Sequence, residues 1–169
     1  MRVWDPAVRV MHWGLATAII VAWFSGEEEL TRHEWAGYAA LFVVALRTAW
    51  GFIGTPYARF SQFVRAPSAV RDYAAAVGRN AESRYLGHNP LGGWMIVVLM
   101  TMVTGVGITG WMSTLDAFWG FAWLEWTHRV LAWSLVSLVV LHIAGVVFSS
   151  LRHRENLVTA MLTGHKRSD

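Results

Sequence analysis

The sequence contains no cysteine, which excludes disulfide staples, thiolate metal sites and the C-x-x-C-H motif of covalent cofactor attachment. Any cofactor is left to nitrogen or oxygen ligands. Charge is scarce too. Only 15% of the 169 residues are Asp, Glu, Lys or Arg, against 55% hydrophobic, which is too apolar for an ordinary soluble domain and too short for several domains. No internal repeat or low-complexity tract is present. The first apolar run follows Asp5-Pro6 without a convincing small-residue cleavage site, so it is expected to stay in the mature protein and not to be removed as a signal peptide. A formal charge of +3 does not indicate a nucleic-acid partner, because the basic residues occupy particular loops and form no stripe with interleaved aromatics.

What is present is four long apolar segments. A bilayer core about 30 Å thick needs about 20 mainly apolar helical residues, and residues 6–26, 33–53, 90–112 and about 127–151 meet that length. The expected fold is all-α: an integral membrane four-helix bundle forming a single domain over 1–169, with a loop at 54–89 and both termini cytoplasmic. Asp5 caps the first helix and Pro6 suits its first turn. Thr31-Arg-His-Glu34 has the form of a capping box and places the second start near His33. The third span carries Gly92, Gly93, Gly105, Gly107 and Gly110, small residues that let a neighbouring helix or a flat cofactor approach the backbone. Between spans three and four, STLDAFWGFAWLEW has three tryptophans within eight residues, as suits a segment at the lipid–water interface.

Charge sets the orientation. Twelve of the 14 basic residues lie in the N-terminal segment, the 54–89 region with Arg47, and the tail; only Arg32 and Arg129 lie on the other side, beside Glu27, Glu28, Glu29, Glu34, Asp116 and Glu125. By the positive-inside rule the basic side is cytoplasmic. Within the 54–89 loop, PSAVRDYAAAVGRN reads either as a short amphipathic helix on the membrane surface or as a solvated linker.

Of seven histidines, four fall in or at the ends of spans: His12, His33, His128 and His142. His128 and His142 are fourteen residues apart on the fourth span, so they differ by about 40° around the axis and stand about 21 Å apart along it. They face one way at two depths. Depth pairs His12 with His142 on the cytoplasmic side and His33 with His128 on the periplasmic side. Two imidazoles at one depth on facing helices suit bis-imidazole ligation of a haem iron, so two pairs make two haems. Zinc needs three or four ligands and is the weaker reading. The plainer alternative is that each histidine bonds a helix neighbour or sits in the interfacial belt; the joint pattern and the expense of buried ionisable groups favour haem. His88, His153 and His165 lie in basic loops and read as solvated. Arg47, inside the second span, suits a haem propionate or a quinone head group, with snorkelling to the interface as the equal alternative. Arg9, on the face of His12, reads more readily as snorkelling, and Arg129 is placed to serve a haem on the other side.

These motifs resemble the prokaryotic cytochrome b-561 family, which includes b-type cytochrome subunits of nickel–iron hydrogenases and formate dehydrogenases. The resemblance covers nearly the whole chain. It rests on RVMHWGL around His12, HEWAGY at His33, RYLGHNPLGG before span three, and the fourteen-residue spacing of His128 and His142. It implies a four-helix membrane bundle with two b haems and the matching histidines as axial ligands. The short first periplasmic loop, residues 27–32, departs from some members and leaves little surface for a large dedicated partner.

A haem with both axial positions filled transfers electrons outer-sphere. The expected function is therefore transmembrane electron transfer in the bacterial inner membrane, between a quinone in the lipid and a periplasmic partner. That partner is a soluble c-type cytochrome, a redox enzyme, or superoxide, as in the family's superoxide:quinone oxidoreductases. The acidic surroundings of Arg32 and Arg129 favour a protein with a basic docking face. The alternative is a haem-free transporter or a membrane anchor for a larger complex. Transporters usually show repeats, broken helices and an intramembrane carboxylate, none of which is evident.

Overall fold

Each of the four apolar segments closes into a helix, and their ends are set by local hydrogen bonds. The structure, a computed structural model, describes residues 1–167; the last two positions of the expected 1–169 domain lie outside the described residues. Helix α1 spans Pro6–Ser25 and α2 Leu30–Ile53. After a 3-10 turn at Pro56–Ala58 come the short α3, Phe60–Phe63, and α4, Pro67–Gly78. Helix α5 spans Pro90–Ser113, a second 3-10 turn covers Asp116–Phe118, α6 spans Ala122–Arg152, and α7 spans Leu157–Thr163. Among the described residues there is no strand, only an isolated antiparallel bridge between Arg2 and His165. Helices α1, α2, α5 and α6 are all long and apolar enough to cross a membrane.

Two helices start earlier than the sequence suggests. The amides of Glu28 and Glu29 bond the carbonyl of Ser25, and the amide of His33 already bonds the carbonyl of Glu29 at 3.1 Å. The chain thus turns within four residues, and Thr31 lies inside the first turn of α2 instead of capping it. Helix α6 begins at Ala122, where the amide of Leu124 bonds the carbonyl of Phe121 at 2.9 Å and the Leu124 side chain is almost fully buried. Burying that leucine draws the extra turn into the helix. The 54–89 region is more structured than a linker. Tyr73 of α4 is buried and meets Tyr85 edge-on at 5.6 Å.

The chain gathers into two compact units. One contains Met1–Arg9, Thr48–Val98 and the chain from Val140 onward. Val3, Trp4, Val8, Ala58 and Ala160 form its core, with Trp50, Tyr57 and Met161 packed on it. Asn156 caps α7 by accepting from the amide of Thr159 at 2.9 Å. Gly164 ends the helix in the left-handed conformation, φ 84°, and its carbonyl accepts the amides of Val3 at 2.8 Å and Trp4 at 3.1 Å. The N-terminal ammonium donates to the carbonyl of Lys166 at 2.7 Å, and the Lys166 amide returns a bond to Met1. Buried Glu155 accepts from Arg84 and from the amide of Arg167, both at 3.0 Å, with the Lys166 ammonium 3.6 Å away.

The second unit contains Val10–Arg47 and Leu99–Val139. Its interior includes small and aliphatic residues: Ala18, Ala36, Ala40, Val44, Met100, Val103 and Leu135 are buried. At Gly107 α2 approaches closely, since a Cβ there would stand 2.4 Å from Leu41 Cγ. Trp23 and Trp133 meet edge-on at 4.8 Å.

Candidate functional site

His33 and His128 come together in the second unit. Their ring centroids are 6.0 Å apart and the rings are nearly perpendicular, at 80°. His33 stands one turn into α2, and its Nδ1 lies 2.8 Å from the carbonyl of Ala22. That carbonyl is among the last four of α1, which lie beyond the helix's own amide ladder, and the Ser25 hydroxyl also reaches it at 3.5 Å. His128 stands in α6, and its Nδ1 lies 3.1 Å from the carbonyl of Val106 and 3.1 Å from the hydroxyl oxygen of Thr109, both in α5. A carbonyl only accepts, so Nδ1 carries the proton in each ring and the lone pair of the neutral imidazole falls on Nε2. Glycines make room for the rings. A Cβ at Gly26 would lie 3.3 Å from His33 Nδ1, and one at Gly110 would lie 3.1 Å from His128 Cε1.

This arrangement suits two-point ligation of one metal centre. A metal–imidazole bond of about 2.0 Å plus about 1.1 Å from nitrogen to ring centre, taken on both sides of an ion, separates the ring centres by about 6 Å. The observed separation is 6.0 Å. Among the described residues no group of three or more His, Cys, Asp and Glu converges, whereas zinc needs three or four such ligands. His33 and His128 would fit an iron whose remaining ligands a porphyrin supplies.

The other expected site residues are shared between the two units. His12, in α1, is half-buried and meets Trp13 edge-on at 5.0 Å; it belongs to the second unit. His142, in α6, is half-buried and belongs to the first. Arg47 is buried, with 8% of its surface exposed, so its guanidinium stays within the protein and does not reach outward. Arg9 donates to the carbonyl of Leu162 in α7, which ties it to the chain's C-terminal region and not to lipid. His88 is not solvated as its loop position suggested. Its ring packs against Trp4 at 4.5 Å and Phe63 at 5.0 Å. Sequence reasoning also missed Thr109 and the carbonyls of Ala22 and Val106, the three groups that orient the paired rings.

Acidic residues flank the pair along the chain. Glu27, Glu28 and Glu29 form the exposed α1–α2 turn, Glu34 follows His33, and exposed Asp116 and Glu125 lie just before His128. Arg32 is held by Glu29 at 2.7 Å, which leaves Arg129 as the other cation of this unit beside buried Arg47.

Comparison with known proteins assigns the chain to a family. A family model described as prokaryotic cytochrome b561 matches residues 3–164. The chain is 26% identical to a probable Ni/Fe-hydrogenase B-type cytochrome subunit of Bradyrhizobium diazoefficiens, over 98% of this chain and 85% of that one. It is 25% identical to the protein of the same name from Cupriavidus necator, over 97% of this chain and 86% of that one. To its Rhodobacter capsulatus counterpart it is 24% identical, over 97% and 80%. The first of these alignments runs over 213 positions against a chain of 169 residues, so stretches of the relative have no counterpart here. No solved structure matches.

Proposed function

The chain belongs to the prokaryotic cytochrome b561 family, a multi-pass b-type cytochrome of the bacterial inner membrane that transfers electrons, and from that premise we propose that it does so through two haems. One haem is held by His33 and His128 and the other by His12 and His142. The observation that carries the reading is the ring pair of His33 and His128, set 6.0 Å apart with both Nδ1 atoms engaged by carbonyls. The second pair rests on the sequence, through the fourteen-residue spacing of His128 and His142, which brings them to nearly one helix face. A b haem with imidazoles on both faces supplies one-electron outer-sphere transfer and leaves no open position at the iron.

The chain's own residues do the rest. The carbonyls of Ala22 and Val106 fix the tautomer and direction of their imidazoles. Buried Arg47 supplies a cation for a haem propionate or for the head group of a membrane quinone. Both termini lie on the cytoplasmic side, by the distribution of arginine and lysine. The His33–His128 end is then periplasmic, and its acidic turn favours a redox protein with a basic face over a small oxyanion such as superoxide. Relatives named as hydrogenase cytochrome subunits support a redox enzyme as that partner.

Spectroscopy of the purified protein tests the reading. Two haems per chain and a low-spin b-type difference spectrum are expected. His33→Ala and His128→Ala should each lose one haem, and His142→Ala the other. A folded preparation without colour would favour the haem-free transporter or anchor, and retention of both haems in His128→Ala would break the proposed pairing.

A further inference from the structure

Thr109 stands where a hydroxyl governs an imidazole. Its oxygen is 2.9 Å from the carbonyl of Gly105 and 3.0 Å from that of Val106, within its own helix, and 3.1 Å from Nδ1 of His128. A hydroxyl has a single proton to donate. Carbonyls cannot donate, so that proton goes back to Gly105 or Val106, and the oxygen turns a lone pair to the imidazole. Nδ1 carries the other proton, because the Val106 carbonyl also faces it at 3.1 Å. One N–H is thus shared between two acceptors on α5. Thr104 and Ser113 bond back to the same helix in the same way, but among the described residues Thr109 is the one of these three whose oxygen also meets a ring. Gly110 Cα follows directly, and a Cβ there would press on His128 Cε1 at 3.1 Å. The ring therefore has a fixed seat.

We propose that Thr109 is a positioning residue for the His33–His128 centre: it accepts from His128 Nδ1–H, holds the ring with Nε2 turned away from α5, and lowers the reduction potential of the haem bound there. The inference rests on the proposed ligation of a haem by this pair. An acceptor on Nδ1–H makes the imidazole more basic and a stronger donor to the oxidised metal, which favours the ferric state. The Ala22 carbonyl does this for His33 through a single strong bond at 2.8 Å. For His128 the task is divided, so one of the two acceptors can be removed by mutation without touching the backbone.

The experiment is a redox titration of the purified holoprotein, read at the haem absorbance, with haem content measured in parallel. Thr109→Val keeps the branched shape and removes the acceptor. It should bind two haems and raise the potential of one by a shift equal to as much as a tenfold change in its reduction equilibrium, 59 mV for one electron. The second haem should not move, and Thr109→Ser should restore the wild-type value. Unchanged potentials in Thr109→Val with both haems present overturn the proposal, as does a shift that serine fails to reverse, because bulk and not the hydroxyl would then be responsible. If Thr109→Val loses one haem, retention of that haem by Thr109→Ser supports the role of the hydroxyl, and its loss from both variants overturns it. A wild-type protein without haem is a different result: it removes the ligation on which the inference stands.

Discussion

Asp5 is the residue on which the entry to α1 turns. Its Oδ1 accepts from the amide of Val8 at 2.9 Å, while its Oδ2 accepts from the Thr55 hydroxyl at 2.6 Å and the Trp50 indole at 3.2 Å. Burial pushes its carboxyl up, but the bonds from Thr55, Val8 and Trp50 outweigh that and hold it below the usual aspartate range. The folded state therefore prefers the carboxylate. Its contribution is full above the unfolded value, near 3.9, and is lost as pH falls through the lower folded value. Asp5→Ala should destabilise the protein by about 1 kcal/mol through the lost cap, and further through the stranded Trp50 and Thr55 donors. Thermal melts in detergent at pH 7 and near pH 3 check the carboxylate's part. Asp5→Asn should show a smaller loss of stability on acidification than wild type, and equal losses would assign the acid sensitivity elsewhere. Asp5 was legible in the sequence as a cap because Pro6 and the apolar run follow it directly. Its bonds to Trp50 and Thr55 were not, since nothing in the spacing reports which loop returns to a helix start.

Among the elements, the long helices were legible, α4 was legible as one of two alternatives, and α3 and α7 were not. Helices α1, α2, α5 and α6 need only length and apolarity to be recognised. Helix α7 has seven residues, too few to be stable alone, and is held by what it touches: its Gly164 carbonyl takes the amides of Val3 and Trp4, and Arg9 donates to Leu162. Gly164 adopts φ 84°, and a Cβ on it would stand 2.6 Å from the Trp4 carbonyl. Gly164→Ala should therefore cost about 1–2 kcal/mol for the left-handed conformation, and more for the clash with backbone. Hydrogen exchange reads this locally. The amides of Val3 and Trp4 should lose protection in the variant while those of α5 keep theirs, and unchanged protection at Val3 would show that the terminal pairing survives without glycine. The meeting of His33 with His128 was legible for a different reason, their common depth at the ends of two spans. A fourteen-residue spacing fixes the relative direction of His128 and His142 on any straight helix. Thr109 was hidden because its meeting with His128 depends on how α5 and α6 are rotated against each other within the second unit, which packing decides.

For the whole molecule, the exposed apolar surface decides the environment. Phe24 and Ile53 are each 73% exposed on helices with few charges. Water would penalise such surface at about 25 cal/mol per Å², and hydrocarbon does not. Charge is concentrated accordingly. Glu82 and Arg152 pair at 2.6 Å and Arg84, Glu155 and Lys166 gather in one unit, while the other unit carries the acidic turn Glu27–Glu29 with Glu34, Asp116 and Glu125. In the proposed orientation that turn meets the periplasmic partner, and it has the sign to speed encounter with a basic redox protein. Stopped-flow haem oxidation by a basic c-type cytochrome and by an acidic one tests this. With the basic partner the second-order rate should fall as ionic strength rises, because screening sets in over about 10 Å at 0.1 M salt. Charge reversal of Glu27 and Glu28 to lysine, at exposed positions distant in sequence from any proposed ligand but His33, should slow the basic partner roughly tenfold at low salt and leave the haem spectrum unchanged. Salt-independent rates, or equal rates for the two cytochromes, would mean that the acidic turn does not select the partner.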